Sequence, residues 1–430
     1  MEAHVTKGSW LWNWLDALAF SLSGLPASQT GAATMAYTLF DLHRSDSSLD
    51  YPRGGMGVVA EALVKAVEGK QGNNGQEGIE GEDGLGGVRG KGRVHLSCKV
   101  DRIVVEKGKA IGVVLQGTGE FVRARRGVLC NAPVWELPRL LRGQEQELTE
   151  EQCKAMLGKS LSKEQEQEKS SGDSLDFCDK KKTKSFLHLH LGVDVTGLDL
   201  GSMQPHFTVM HQGLSDPTAD RNMVAVSNPS VLDDSLVTYT RAGEVAEVGG
   251  LNPDGRVHAV VHAYGAGNED YDQWRRFKGL DDELGGDGEN ETNDRKGGGG
   301  ARSRGYKSSL LKEYEQKKEK DALFLYDSAA AALGLTVKEL KSRSEVSLIG
   351  SPLTHERFLG RSEGTYGSAW GSMLPGPETA IDRLFLCGDS VFPGIGVPAV
   401  AVSGANAANS LVSVGRHLLM LARQGKGKGE

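Results

Sequence analysis

The sequence predicts an α/β protein with two separate sheets. Three observations carry that expectation. A short apolar run, Leu384-Phe385-Leu386-Cys387, stops abruptly at Gly388-Asp389 and passes through a glycine-rich turn into the small, apolar stretch Val397–Leu411; this reads as strand, turn and helix. The stretch 94–131 holds β-branched runs separated by short turns, the pattern of a strand meander. Four further β-branched runs between 185 and 264 precede an alanine-rich segment, Glu313–Leu333, and read as a second sheet with a helix against it.

Taken in chain order, Leu15–Leu42 has apolar positions at Leu18, Leu22 and Leu25 that suit a helix broken at Gly24 and Pro26. Trp10, Trp12 and Trp14 stand at or just ahead of its start. Two readings stay open for them: a lip touching a lipid surface, or aromatic packing in a core. Pro52-Arg53-Gly54-Gly55-Met56-Gly57 forms a tight turn into a helix over Val58–Val67. Val94–Val100, Ile103–Glu106 and Ala110–Leu115 read as strands, the last two joined by a Lys107-Gly108-Lys109 hairpin turn. Phe121–Arg123 and Gly127–Asn131 supply two more, the last a return strand ending in Asn131-Ala132.

Ser185–Val193, Phe207–His211, Val224–Asn228 and Arg256–Tyr264 are the strands expected of a second, mixed sheet, with Val231–Ser235 as a connecting turn. Val346–Leu353 returns to that sheet, and Tyr366 to Leu419 re-enters the first domain.

At 430 residues the chain has room for two domains. Its hydrophobic content of 38% is low for a globular chain, and glycine explains much of the deficit, since 18 of the 58 glycines fall in Gly69–Gly92 and Asp281–Gly305. Such segments bury too little apolar area to offset ordering entropy and read as disordered inserts. Gln144–Thr183, rich in Glu, Lys and Ser, reads as a linker. A net charge of −7, with both signs mixed, argues against nucleic acid as a partner. Five cysteines without a C-x-x-C pair argue against a disulfide or zinc framework. No run of about 20 apolar residues lacks polar breaks, and the start MEAHVTKGS lacks a secretory or transit profile.

The chemistry concentrates at 383–410. Glycines let a backbone approach a ligand, and the N–H groups at a helix start favour an anion or an electron-rich ring edge. Asp389, at the carboxyl end of a strand, can accept hydrogen bonds from sugar-like hydroxyls. A polyol and a phosphate together point to a flavin. Gly394, Gly396 and Ala399 also match G-x-G-x-x-A, but Ser390–Pro393 separates them from the strand and no acid-ended strand follows, so this is not the dinucleotide fingerprint.

His188 and His190 share a face of a strand without a third ligand at metal spacing, so no metal is expected there. His258 and His262 lie among valines that favour a strand, where packing or hydrogen bonding is the expected role. There is no G-x-S-x-G, H-E-x-x-H or P-loop. Arg53, in the glycine-rich turn, is either a phosphate partner or solvated.

The segment GDSVFPGIGVPAVAVSGANAANSLVS closely resembles the C-terminal flavin motif of the carotenoid isomerases (prolycopene isomerases), in the phytoene-desaturase-like branch of FAD-dependent oxidoreductases. WLDALAFSLSGLPASQTGAATMAYTLFD, LDYPRGGMGVVAEALVKAVE and HLSCKVDRIVVEKGKAIGVVLQGTGEFVRARRGVLCNAPVWEL are similar to that family's segments in the same order, as are SFLHLHLGVDVTGL, VHAYGAG and LIGSPLTHERFLGRSEGTYGSA. The resemblance implies a Rossmann-like FAD/NAD(P)-binding domain, N-terminally incomplete, with a mixed-sheet substrate domain and a helical cap. The expected division is a cap at 1–50, the inner FAD domain at 51–143 with an insert at 69–92, and a linker at 144–183. The substrate domain then covers 184–360 with an insert at 281–305, and a C-terminal FAD segment 361–424.

The same resemblance implies cofactor contacts at Asn131, Ala132, Gly388, Asp389, Gly394, Ile395, Gly396, Val397, Pro398 and Ala399, with the strand containing Val100 offering its backbone to the adenine. Tyr366 falls in a loop that in similar proteins approaches flavin and substrate; it either flanks a polyene by stacking or is a turn tyrosine. The implied activity converts poly-cis carotenes of the prolycopene kind to all-trans lycopene, in a plastid, with peripheral membrane contact. A carotene desaturase or retinol-saturase-like reductase uses the same cradle, and an inactive remnant is the third alternative. The family's opening strand–G-x-G-x-x-G–helix has no counterpart here, since the chain enters the pattern in its interior; a truncated product that binds FAD poorly is the expectation. Rotating a C=C bond needs its order lowered for a moment, which a reduced flavin does without a side-chain base, so no catalytic side chain is named.

Overall fold

The computed structural model describes residues 5–30, 51–69, 92–142, 183–233, 236–237, 257–265, 269–280, 301–365, 367 and 374–412, with scattered positions between 32 and 45 and at 415 and 418. Tyr366, most of both glycine-rich inserts and most of the 144–183 linker lie outside the described residues.

Helix α1 (Trp10–Ser23) starts on Ser9, whose hydroxyl accepts the Trp12 N–H, and ends at Gly24 in the left-handed region. Trp12 is buried, whereas Trp10 is 69% exposed and stacks on Trp14 with ring centroids 6.1 Å apart. Helix α2 (Gly57–Glu68) buries no residue; Leu63 and Val67 lie exposed. Among the described residues no helix is long and apolar enough to cross a membrane.

Strands β1 (Val100–Glu106), β2 (Lys109–Leu115) and β3 (Phe121–Arg123) form the expected antiparallel meander. Lys107 and Gly108 make the first hairpin, both with positive φ, as a two-residue turn matched to strand twist requires. The strand expected over Val94–Val100 begins only at Val100: residues 92–99 are exposed, and Ser97 turns into the left-handed region, which interrupts extended pairing. Strand β4 (Val128–Cys130) pairs in parallel with the distant strand Leu384–Leu386 near the chain's end. The small core beneath them combines Ile103, Cys130, Leu137 and Leu140 with Ile381, Leu384, Leu386 and Val391. Two regions far apart in sequence thus make one body.

The larger sheet contains β5 (His188–Asp194), β6 (His206–Met210), β7 (Met223–Ser227), β8 (His258–Gly265) and, later in the chain, Ser344–Gly350, in the order β6-β7-β8-β5 and then that last strand. The mixed sheet expected from sequence is corrected here. Every hydrogen-bonded pair is antiparallel. The chain does return in the direction of β8 through a helical layer, but β5 lies between the two parallel strands and pairs with both in the opposite sense.

Those helices are α3 (Ala301–Asp321), α4 (Leu323–Leu333) and α5 (Val337–Arg343), followed by β9 (Ser344–Gly350) and α6 (Pro352–Leu359). The single helix expected over Glu313–Leu333 is therefore two, and the insert expected to run to residue 305 becomes helical at Ala301. Strand alternation puts Leu189, Leu191, Val193, Val224, Val226, Ala259, Val261 and Ala263 on the helix-covered face, in a core completed by Trp274, Phe277, Tyr314, Leu325 and Leu340. The charged cluster at the edge of this core is paired. Arg221 reaches both Glu269 and Asp321 at 3.3 Å, and Lys317 reaches Asp321 at 2.6 Å.

Helix α5 starts with a complete capping box, Thr336 accepting the Glu339 N–H while the Glu339 carboxylate accepts the Thr336 N–H. Thr336→Ala is expected to lower stability by about 1 kcal/mol. Urea unfolding of the two proteins checks this, with no shift in midpoint counting against it.

Strand β10 (Leu384–Leu386) leads through the glycine-rich turn to α7 (Val397–Ser410). Among the described residues of α7 only Ser403 and Ala407 are buried.

Candidate functional site

Parallel pairing of β4 and β10, with Cys130 opposite Leu386, sets their carboxyl ends side by side. Asn131-Ala132 and Gly388-Asp389 therefore meet. Gly388 has φ +112, and a Cβ there would lie 2.6 Å from Asn131 Oδ1, so glycine is obligatory. Its N–H donates to Ser403 Oγ of α7 at 3.1 Å, tying the helix to the strand end. Ser390 is buried and its hydroxyl accepts the Val134 N–H at 3.1 Å. Gly394 and Gly396 also take positive φ, of 117° and 108°. A Cβ on Gly394 would press on Leu374, whereas Gly396 faces open space where α7 begins. Gly396, Val397 and Pro398 are exposed, with Ala399 half-buried behind them. Ile395 packs where Gly367 has no side chain.

Asp389 was read as an acceptor of sugar-like hydroxyls. In the structure its carboxylate is ion-paired with Arg361, which also donates to the Thr365 carbonyl at 3.2 Å. Sequence reasoning missed Arg361, because nothing in the sequence links positions 361 and 389. Val100 opens β1, half-buried against the small core and opposite Leu115, in the meander rather than at the strand ends. Arg53 is exposed, and the N–H of its neighbour Gly54 donates to Asp233 Oδ2 at 2.6 Å.

The second feature is the face of the large sheet opposite the helices, whose rings are half-buried. Register puts His188 opposite Tyr264 and His190 opposite His262. The Nδ1 atoms of His190 and His262 are hydrogen-bonded at 2.7 Å, and His188 Nδ1 is hydrogen-bonded to His355 Nε2 at 2.9 Å. In each pair one ring donates and the other accepts. His355 is delivered by α6, whose start is capped by Ser351. Gly350 makes room for the His188 ring: a Cβ there would stand 1.9 Å from its Nε2. Phe186 lies against His355, with centroids 4.2 Å apart.

Burial holds these imidazoles neutral. It pushes His188 down to about 3, helped by the charge of His355, and His262 down to about 4, helped by His190. His355 falls to about 4 through burial and the nearby Arg361 charge, and burial lowers His190 as well. Arg361 therefore joins the two features, paired with Asp389 on one side and felt by His355 on the other. Among the described residues no group of three or more His, Cys, Asp or Glu side chains is arranged to hold a metal ion.

No family model matches the chain. It is 27% identical over 420 residues to a chloroplastic prolycopene isomerase of Arabidopsis thaliana, covering 95% of this chain and 52% of that protein. It is 26% identical over 409 residues to that of Daucus carota, covering 93% and 50%. The resemblance to carotenoid isomerases carried by the motifs therefore extends over nearly the whole chain. The chain spans about half the length of the curated relatives it matches. A solved oxidoreductase from Methanosarcina mazei is 14% identical, with a TM-score of 0.47, covering 95% of this chain and 66% of that one.

Proposed function

We propose that this chain, similar over nearly its whole length to prolycopene isomerases, carries part of an FAD-dependent carotenoid isomerase that converts poly-cis carotenes to the all-trans form in a plastid. The observation that supports it most is the juxtaposition at the β4 and β10 strand ends. There an obligatory glycine, the exposed Asn131 and the open start of α7 form a cradle into which backbone N–H groups can point. These residues fit one half of a flavin dinucleotide. Asn131 and the backbone of Gly396, Val397 and Ala399 would hold the ring edge and polyol, with the Arg361–Asp389 pair beside them.

A bound flavin supplies reversible electron or hydride delivery. The protein's part is to orient the polyene, exclude water and keep charge away from it. Peripheral membrane contact through Trp10 and its neighbours suits so oily a substrate.

The reaction is tested by incubating the chain and reduced FAD with tetra-cis lycopene and weighing the product. Unchanged mass with an all-trans chromatographic profile is the expected result. A shift of two hydrogens would transfer the assignment to a desaturase or saturase. For the cradle, Gly388→Ala forces a Cβ into Asn131 and out of a conformation natural only to glycine. It is expected to weaken FAD roughly tenfold or more, read by quenching of flavin fluorescence on titration. Equal affinities would detach Gly388 from flavin binding.

A further inference from the structure

The two hydrogen-bonded histidine pairs on the large sheet are not used by the cradle and are not explained by packing. On the opposite face of the same strands Leu189 and Val261 are wholly buried, as core residues should be. On this face His188, His190, His262 and Tyr264 are only half-buried, and Leu348, opposite His190 on β9, is 61% exposed. A sheet face that lies outside the core is expected to carry charged or small polar side chains. This one carries rings. Their centroids stand 4.7 Å apart for His190 and His262, 4.8 Å for His188 and His190, and 5.7 Å for His190 and Tyr264, all tilted or edge-on.

We infer that this histidine–tyrosine face, closed at one side by His355 and Phe186, is the wall against which a flat, uncharged, conjugated ligand lies. Resting on the polyene reading above, the inference adds which surface takes the chain of double bonds and which side chains select it.

The chemistry of the face selects the ligand class. Tilted rings present both edges and π-faces, which attract a conjugated chain by stacking and dispersion. Each histidine pair satisfies one N–H internally, so the face shows less polarity than four separate imidazoles would. The rings are neutral, which leaves the wall without a charge to hold a cation. Asp389 compensates Arg361, which leaves little pull for an anion. Gly350 is the enabling residue, since only there can the His188 ring lie flat across the neighbouring strand.

The test uses the full chain and all-trans lycopene presented in detergent micelles. Lycopene is achiral, so circular dichroism in its visible band reports a chiral binding wall, independently of turnover. The native protein is expected to induce this signal, and His190→Phe, which keeps a ring, to retain it. His190→Ala is expected to weaken binding roughly tenfold through the lost ring contact. Leu348→Asp, at an exposed position, is expected to weaken binding as well by placing a charge on the wall. Far-ultraviolet spectra confirm that each variant is folded. A native signal left unchanged by both His190→Ala and Leu348→Asp would overturn this wall while leaving the polyene reading intact. No signal with the native protein would remove the polyene reading and this inference together.

Discussion

Acidification from pH 6.5 to pH 4 is expected to destabilise the protein steeply, because His188, His262 and His355 are held neutral in the fold, with values near 3, 4 and 4 against an ordinary 6.5. The sign follows from proton uptake. Below 6.5 the unfolded chain binds protons that the folded chain refuses, so stability is fully present above 6.5 and is lost as pH falls toward the folded values. Each such imidazole subtracts roughly 1.4 kcal/mol per pH unit at full slope. Discounted by roughly half for water reaching the partly buried rings, the three together still remove several kcal/mol, against a total of about 5–15 kcal/mol for a typical domain. Urea midpoints measured between pH 7 and pH 4 are the check. His262→Gln, which removes one titrating ring, should flatten the dependence. A midpoint that does not move over this range would mean that the sheet face takes up protons without resistance.

Trp274→Ala is expected to cost about 3–5 kcal/mol from the cavity alone. Trp274 is fully buried, meets Tyr314 edge-on at 6.0 Å and lies beneath the Lys317 ammonium at 4.5 Å. Its indole N–H also donates to Glu269 at 2.9 Å. Losing that donor leaves a buried carboxylate leaning on Arg221, a further penalty on the order of 1–3 kcal/mol. Trp274→Phe separates the two contributions, since it keeps most of the volume and loses only the donor. Because Arg221 shares Glu269, the double substitution with Arg221→Met should be markedly non-additive. Thermal unfolding monitored by circular dichroism decides. A Trp274→Ala protein within about 1 kcal/mol of native would mean that the core around α3 collapses to fill the hole.

What the sequence determined by itself is local. The alternation of apolar residues in Leu189–Val193 and Ala259–Ala263 specified strands with one buried face, because side chains on a strand alternate with period two. The same alternation put His188 with His190 and His258 with His262 on shared faces. Lys107-Gly108 specified a hairpin, and Gly388, Gly394 and Gly396 announced backbone that other residues avoid.

What only the tertiary structure decided is which of these local pieces face one another. Pairing of β4 with β10 joins positions 130 and 386, and no periodicity spans that distance. The antiparallel sense of the large sheet depended on β5 lying between β8 and β9, an order that the strands' own patterns do not encode. Asp389 could be recognised as an acid at a strand end, but its partner Arg361 arrives from a loop after α6. His355 joins His188 in the same way, across 167 residues. The exposed faces of α2 and α7 show the converse. Their sequences are rich in apolar residues, but a helix face is buried only when another surface is brought against it, and that is a property of the assembled fold rather than of the segment.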